Sequence, residues 1–352
     1  MSEISNYFLY RNAESEKGLP ANCIDDLNLN DLFAEIDYCN SSIGRQYLYY
    51  LLLSDKVSGV GKQEALLSSL SANMELRDFL SKTLKELNKP DAYSIVSIIE
   101  GNNVEISRKE MTGISICRFL PFLFLALTLI THSGYFLSLF VIAFITNAVL
   151  HYRCKPKIQG YFFSIPQLFK MIRQAERLAQ KREFTSVAPH ISADLQEVEG
   201  LKKYISYFRF NMTLDNDMAI LFYIIAELVR IFFLHEAYAV GKTFRLFKEK
   251  SAAIHGIYQF VGFLDTLFSV SILRESLPYY CLPGENKAGE RLHIRSAYHP
   301  LIENCVSNDL VLHGKSALIT GSNMAGKNLF HADNRSEPAG CQSTPYLFCR
   351  NI

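Results

Sequence analysis

Ser316-Ala317-Leu318-Ile319-Thr320-Gly321-Ser322-Asn323-Met324-Ala325-Gly326-Lys327 is a short apolar run that breaks into a glycine-flanked loop ending in lysine. From Gly321 to Lys327 it follows the pattern G-x-x-x-x-G-K of a phosphate-binding loop. In such a loop Gly321 permits a sharp turn and Gly326 lets the backbone approach phosphate closely. The N–H groups of Ser322, Asn323, Met324, Ala325 and their neighbours point at the anion, and Lys327 reaches the β- and γ-phosphates. An ordinary glycine-rich turn is the bland reading of the same letters. The next residue should be Ser or Thr, whose hydroxyl binds Mg²⁺, and it is Asn328, a poorer stand-in as a metal ligand. The loop should also open a helix. Asn328 to Ile352 instead holds Gly340, Pro338, Pro345 and no helical period.

Upstream, Arg291 to Ile294 and Leu310 to Leu312 read as short strands leading to the loop strand at Ala317 to Thr320. Before them Pro278-Tyr279-Tyr280-Cys281-Leu282-Pro283-Gly284 marks the exit from a long helical region. A boundary near residue 284 therefore separates an α region from the start of an α/β nucleotide-binding domain. The first 22 residues read as a poorly ordered lead-in, with structure beginning at Ile24. Helices are expected from Asn30, from Ile43 to Leu52, around Gln63 to Leu87 and from Ala92 to Ile99, with Asn88-Lys89-Pro90 as a breaker. Further helices are expected over Gly160 to Phe184 (broken near Pro166), Ala193 to Met212, Asp217 to Lys250 and Ser251 to Leu277.

Composition bounds the rest. A chain of 352 residues holds about two or three domains, and a formal charge of +1 supplies no global attraction to nucleic acid. The eight cysteines are dispersed without C-x-x-C spacing and read as reduced structural thiols. No signal peptide is read in Met1 to Pro20, which is largely polar.

Phe119 to Leu150 contains no Asp, Glu, Lys or Arg and divides at His132-Ser133-Gly134 into two apolar halves. Each half is close to the lower length for crossing a bilayer as a helix. Arg108, Lys109 and Arg118 stand before the pair, Arg153, Lys155 and Lys157 after it, and the connecting loop has no basic residue apart from His132. That asymmetry predicts a transmembrane hairpin with both ends in the cytoplasm; a buried hairpin in a soluble core is the alternative. Met218 to Leu234 imitates a further span. Its interior charges Glu227 and Arg230, at i,i+3 spacing, favour a core helix with an ion pair.

Taken together, His299-Pro300-Leu301-Ile302-Glu303, Val306-Ser307-Asn308-Asp309 and Ile319 to Lys327 resemble, in order, elements of the MutS family of ATP-binding DNA mismatch-repair proteins. The resemblance is to a smaller branch whose helical core carries a membrane hairpin. Weaker matches are Asn40-Ser41-Ser42-Ile43-Gly44-Arg45 and Gly262-Phe263-Leu264-Asp265. The resemblance implies a mainly α fold: a helical core and lever domain with a transmembrane hairpin insert, followed by the first part of an α/β P-loop ATPase domain. Its divisions are a lead-in at 1–22, core at 23–112, hairpin at 113–151, core and lever at 152–284, the start of the ATPase domain at 285–327, and a tail at 328–352. It implies ATP and Mg²⁺ as cofactors, Val306 and Asn308 beside the adenine, DNA as a partner, membrane lipid around the hairpin, and a homodimer in the intact form. Placement in the inner membrane with both termini cytoplasmic follows. The family's mismatch reader is an N-terminal domain with a Phe-x-Glu wedge, for which this chain leaves no room. Phe33-Ala34-Glu35 has those letters, but at helical spacing it reads as a core-facing Phe beside a solvated Glu.

The tail reads, as a hypothesis, as a shifted frame. If Lys327 to His331 is encoded AAA AAC CTC TTT CAT, removal of one adenine gives Lys-Thr-Ser-Phe-Met and restores the Mg²⁺-binding hydroxyl. The gene's nucleotide sequence decides this: without an adenine run at codon 327 the hypothesis fails. The expectation is a truncated, hydrolytically incompetent form, because the downstream Asp-Glu strand needed for hydrolysis is missing as well. The competing functional readings are a membrane-anchored helical interaction or scaffold protein without nucleotide chemistry, and a transporter component, which would want more spans and intramembrane charges.

Overall fold

The structure is a computed structural model that describes residues 2–15, 29–54, 60–100, 108–159, 164–204, 228–229, 231–282, 291–298, 300–302 and 305–313. Its described part is mainly helical, as the sequence predicts. In chain order the helices are α1 (Ser2–Ser15), α2 (Leu29–Ile36), α3 (Ser42–Leu53), α4 (Val60–Ala72), α5 (Met74–Lys85), a 3₁₀ turn (Pro90–Ser94) and α6 (Ile95–Glu100). Then come α7 (Arg108–Cys117), α8 (Leu120–Thr131), α9 (Gly134–Gln159), α10 (Ser164–Leu178), α11 (Arg182–Thr185), α12 (Ile191–Val198) and a 3₁₀ helix (Glu199–Tyr204). Last are α13 (His235–Glu249), α14 (Ser251–Ser276) and the strands β1 (Arg291–Ala297) and β2 (Asn308–His313). The chain forms two compact units, one of Met1–Tyr93, Gln174–Ile191 and Tyr258–Ile352, the other of Ser94–Arg173 and Ser192–Ile257.

In the first unit, α2 buries Leu29, Leu32, Phe33 and Ile36 on one face, and Phe33 meets Tyr49 edge-on at 5.3 Å between ring centroids. Glu35 is exposed, so Phe33-Ala34-Glu35 is a core contact beside a solvated acid. The expected lead-in is corrected over 2–15. Ile4, Tyr7, Phe8 and Arg11 recur at helical spacing, and α1 buries Tyr7 completely, with centroids 5.1 Å from Tyr50 and 4.8 Å from Tyr258. Such ring pairs contribute about 0.5–1.5 kcal/mol each beyond area burial, enough to order a short amphipathic helix. Gln46, fully buried in α3, donates to the carbonyls of Glu3 (2.6 Å) and Tyr93 (3.2 Å) and accepts from the Tyr258 hydroxyl (2.7 Å).

Two further boundaries differ from expectation. Pro166 does not break a helix; it lies in the first turn of α10, where its missing N–H costs nothing, and the break falls after Leu178. Leu234 adopts left-handed φ 44 and separates the helical residues 231–233 from α13. The expected ion pair Glu227–Arg230, the stretches 205–226 and 16–28, the strand Ala317 to Thr320 and the tail 328–352 lie outside the described residues.

In the second unit, α8 and α9 are antiparallel neighbours joined through His132, whose φ of 50 ends α8, and Pro121 sits at the start of α8. Three helical stretches are long and apolar enough to cross a membrane: Met111–Thr131, Gly134–Arg153 and Ser251–Ser276. Burial divides them. The first two are 11% and 17% buried, with Leu129, Ile130, Ile142 and Ile145 more than half exposed, whereas Ser251–Ser276 is 78% buried within the protein. That third stretch is α14, the central core helix of the first unit from Tyr258 onward, and it carries buried Asp265, Thr266, Ser269 and Ser271. Among the described cysteines, Cys39, Cys117 and Cys305 form no disulfide; Cys281 is disulfide-bonded, a departure from the expected reduced set.

Candidate nucleotide site and the buried carboxylate node

The loop residues Gly321, Ser322, Asn323, Met324, Ala325, Gly326 and Lys327, and Asn328 after them, lie outside the described residues. What the structure describes is the hairpin that leads toward the loop. β1 and β2 pair antiparallel, Arg291 opposite His313 and Ile294 opposite Leu310, with an irregularity before the pair Ala297 and Asn308. At this bulge Ser296 takes φ 56, and its N–H donates to the Asp309 carboxylate at 2.7 Å. Asp309, fourth residue of the Val306-Ser307-Asn308-Asp309 element, therefore holds the bulge, a role that spacing alone did not assign. Val306 is 80% exposed, and the Asn308 side chain donates to the Val306 carbonyl at 3.2 Å. Both candidate base-contacting residues thus stand together at the mouth of β2, with the Val306 side chain open to a ligand.

The hairpin is tied to α14 through aromatic side chains. The Tyr279 hydroxyl donates to the Ser296 carbonyl at 2.9 Å, and Tyr298 returns a bond to the Tyr279 carbonyl at 3.1 Å. The two rings meet edge-on at 5.0 Å, and burial, with Tyr279 beside it, pushes the Tyr298 hydroxyl up to about 12. One turn back, Arg274 grips Glu64 of α4 with two bonds of 2.8 Å and lies 4.6 Å over the Tyr280 ring. A paired, stacked guanidinium is a geometry Lys could not reproduce. Tyr279, Tyr298 and Arg274 escaped the sequence reading; the proline-flanked Tyr279-Tyr280 pair was the available signal.

The two weaker motifs converge. Asn40-Ser41-Ser42-Ile43-Gly44-Arg45 forms the start of α3, and Gly262-Phe263-Leu264-Asp265 lies in the middle of α14. Asp265 is fully buried and accepts three hydrogen bonds from the first motif: Asn40 N–H at 2.9 Å, Ser41 N–H at 2.8 Å and the Ser41 hydroxyl at 2.5 Å. The Ser41 oxygen in turn accepts from Gly44 N–H at 2.9 Å, the N-cap bond of α3. Gly44 must lack a side chain, because a Cβ there would stand 2.5 Å from Asp265 Cγ and 2.6 Å from its Cβ. Gly262 meets the same limit against Tyr47, 2.6 Å from its Cβ. Ser42 donates to the Lys89 carbonyl at 2.9 Å, Ile43 is fully buried, and Arg45 joins Asp37 at 3.1 Å to Asn88 at 2.9 Å.

Every letter of the first motif thus has a structural task, and the chemistry is electrostatic stapling rather than catalysis. Burial pushes the Asp265 carboxyl up to about 6, against the lowering effect of the bonds from Ser41 and Asn40. Burial likewise raises the adjacent Cys39 thiol, so it behaves as an inert core group.

No family model matches the chain, and no curated protein matches it.

Proposed function

We propose that the chain is a MutS-like, ATP-binding protein related to DNA mismatch repair and anchored in the inner membrane by the α8–α9 hairpin, with both termini cytoplasmic. The observation that carries this reading is the Asp265 node. Two short motifs that resemble the family, their key residues 224 apart in the chain, meet through three hydrogen bonds and one obligatory glycine. Unrelated look-alike stretches have no reason to be complementary. The succession of sequence motifs from His299 to Lys327 adds the nucleotide element, and the exposed Val306 beside Asn308 suits a base contact. DNA and a second copy of the chain are partners in this reading by resemblance alone.

The membrane part rests on the exposure of the hairpin. Aliphatic side chains such as Ile130 (75% exposed) and Ile142 (60%) cover both helices, an arrangement that water disfavours and hydrocarbon accepts. α14, less apolar but also long enough to span, is 78% buried and reads as a core and lever helix rather than a span.

With Asn328 at the Mg²⁺ position, nucleotide affinity is expected to be weak and turnover slight. Binding of a fluorescent ATP analogue to the detergent-purified chain tests this. Weak binding abolished by Lys327→Ala supports the reading. Binding indifferent to that substitution, or absent also after Asn328→Thr, favours a helical scaffold without nucleotide chemistry. Vigorous ATP turnover lost in Lys327→Ala would overturn the expected incompetence while leaving the family reading in place.

A further inference from the structure

We propose that residues 228–229 and 231–234 form a second lipid-contacting element, immersed in the same bilayer leaflet as the cytoplasmic half of the hairpin without crossing it. The inference rests on the membrane reading of the hairpin. Phe232 packs edge-on against Phe122 of α8 (4.7 Å) and lies 6.2 Å and 6.5 Å from the rings of Phe140 and Phe144 of α9. Phe233 adds an edge contact to Phe122 at 4.9 Å. The segment is therefore laid directly on the two helices proposed to be in lipid. Its outward side continues their surface: Leu228 and Val229 are each 49% exposed and Phe233 42%, while Ile231 and Leu234 face inward.

Depth follows from position along the hairpin. Phe122 lies four residues beyond Arg118 and Phe144 nine residues before Arg153, so Phe232 sits roughly 6–13 Å inside the basic ends at 1.5 Å per residue. A leaflet of a hydrocarbon core about 30 Å thick spans about 15 Å, so the contact stays within one leaflet. Shallow immersion also accommodates the sequence. Glu227 and Arg230 argue against a full span.

The backbone is prepared for a dry setting. The helical turn ends at Leu234 in the left-handed conformation, which removes the Phe232 carbonyl from a regular helical ladder. Asn147, fully buried on α9, donates its amide to that carbonyl at 3.1 Å. In hydrocarbon an unpaired carbonyl costs several kcal/mol, and a polar side chain placed in an otherwise apolar helix to satisfy it is the expected remedy.

The chain contains no tryptophan, so single substitutions give a clean fluorescence reporter. Val229→Trp, Leu228→Trp, Ile142→Trp and Met74→Trp, all at exposed positions that tolerate bulk, are compared in the full chain reconstituted into phosphatidylcholine vesicles with brominated acyl chains. Quenching at Ile142 and at Val229 or Leu228, at least twofold above that at Met74, is expected, and at 228 and 229 bromine near the headgroup should quench more than bromine near the chain end. Quenching at Ile142 with both 228 and 229 no different from Met74 overturns the inference and leaves the hairpin standing. Strongest quenching of 228 and 229 by deep bromine overturns shallow immersion in favour of a full span. No quenching at any position overturns both.

Discussion

Asp265 shows how one buried carboxylate sets a fold and its pH response. Its folded proton affinity, about 6, lies above that of an exposed aspartate, so the folded chain holds the proton more tightly than the unfolded chain does. The stability contributed by protonated Asp265 is therefore fully present below about pH 4 and is lost as pH rises through about 6, a change of roughly 3 kcal/mol. In Asp265→Asn this component disappears, so the gap between the two stability curves from pH 4 to pH 7 isolates it from all other acids. Ser41→Ala should move the fall to higher pH, because the Ser41 hydroxyl favours the charged carboxylate. Denaturant midpoints across that range measure both; parallel curves for the parent chain and Asp265→Asn would contradict the assignment.

Among the elements, the break before α13 is met by a side-chain hydrogen bond from Asn147 of α9. Asn147→Leu keeps the volume and apolar packing of α9 but removes the side-chain amide donated to the Phe232 carbonyl. A loss of about 1–2 kcal/mol is expected, read as a lowered thermal midpoint in detergent. Thr146→Val, one position away on an exposed part of the same helix and bonded only to its own Ile142 carbonyl, is the control and should change little. Equal effects of the two would remove Asn147 from this role. The elements also show what was legible in sequence and what was not. Helices α2, α3 and α6 and the hairpin declared themselves by periodicity, by Asn88-Lys89-Pro90 and by the absence of charge, whereas the single helix read around Gln63 to Leu87 is two, α4 and α5, parted at Asn73, whose side chain caps α5. α1 did not, because the polar stretch after it masked three apolar residues whose partner, Tyr258, lies far along the chain. Likewise Asn40 to Arg45 and Asp265 were visible as separate motifs, but their union is a tertiary fact that no local pattern encodes. For the nucleotide site the letters of Gly321 to Lys327 remain the strongest signal, and the structure adds Asp309, Tyr279 and Arg274 as supports for the hairpin that precedes it.

At the scale of the whole molecule the orientation in the bilayer follows from charge placed outside the apolar stretch. Arg108, Lys109 and Arg118 enter the hairpin and Arg153, Lys155 and Lys157 leave it, while no Lys or Arg lies between them. In the proposed reading, retention of these cations on the cytoplasmic side would hold both ends of the hairpin there and expose the turn at His132-Ser133-Gly134. In the proposed orientation both chain ends, and with them the Gly321 to Lys327 loop, belong on the cytoplasmic side, where ATP is present. Epitope tags at either end of the chain should resist protease added to intact spheroplasts and become sensitive once the membrane is opened. A tag inserted between Ser133 and Gly134 should be cut without opening. Three lysines inserted at that turn should weaken the preference, since the loop would then match the flanks in charge. Cleavage of a terminal tag in sealed spheroplasts would place the motif-bearing unit on the wrong side for nucleotide, and with it the proposed function would fall.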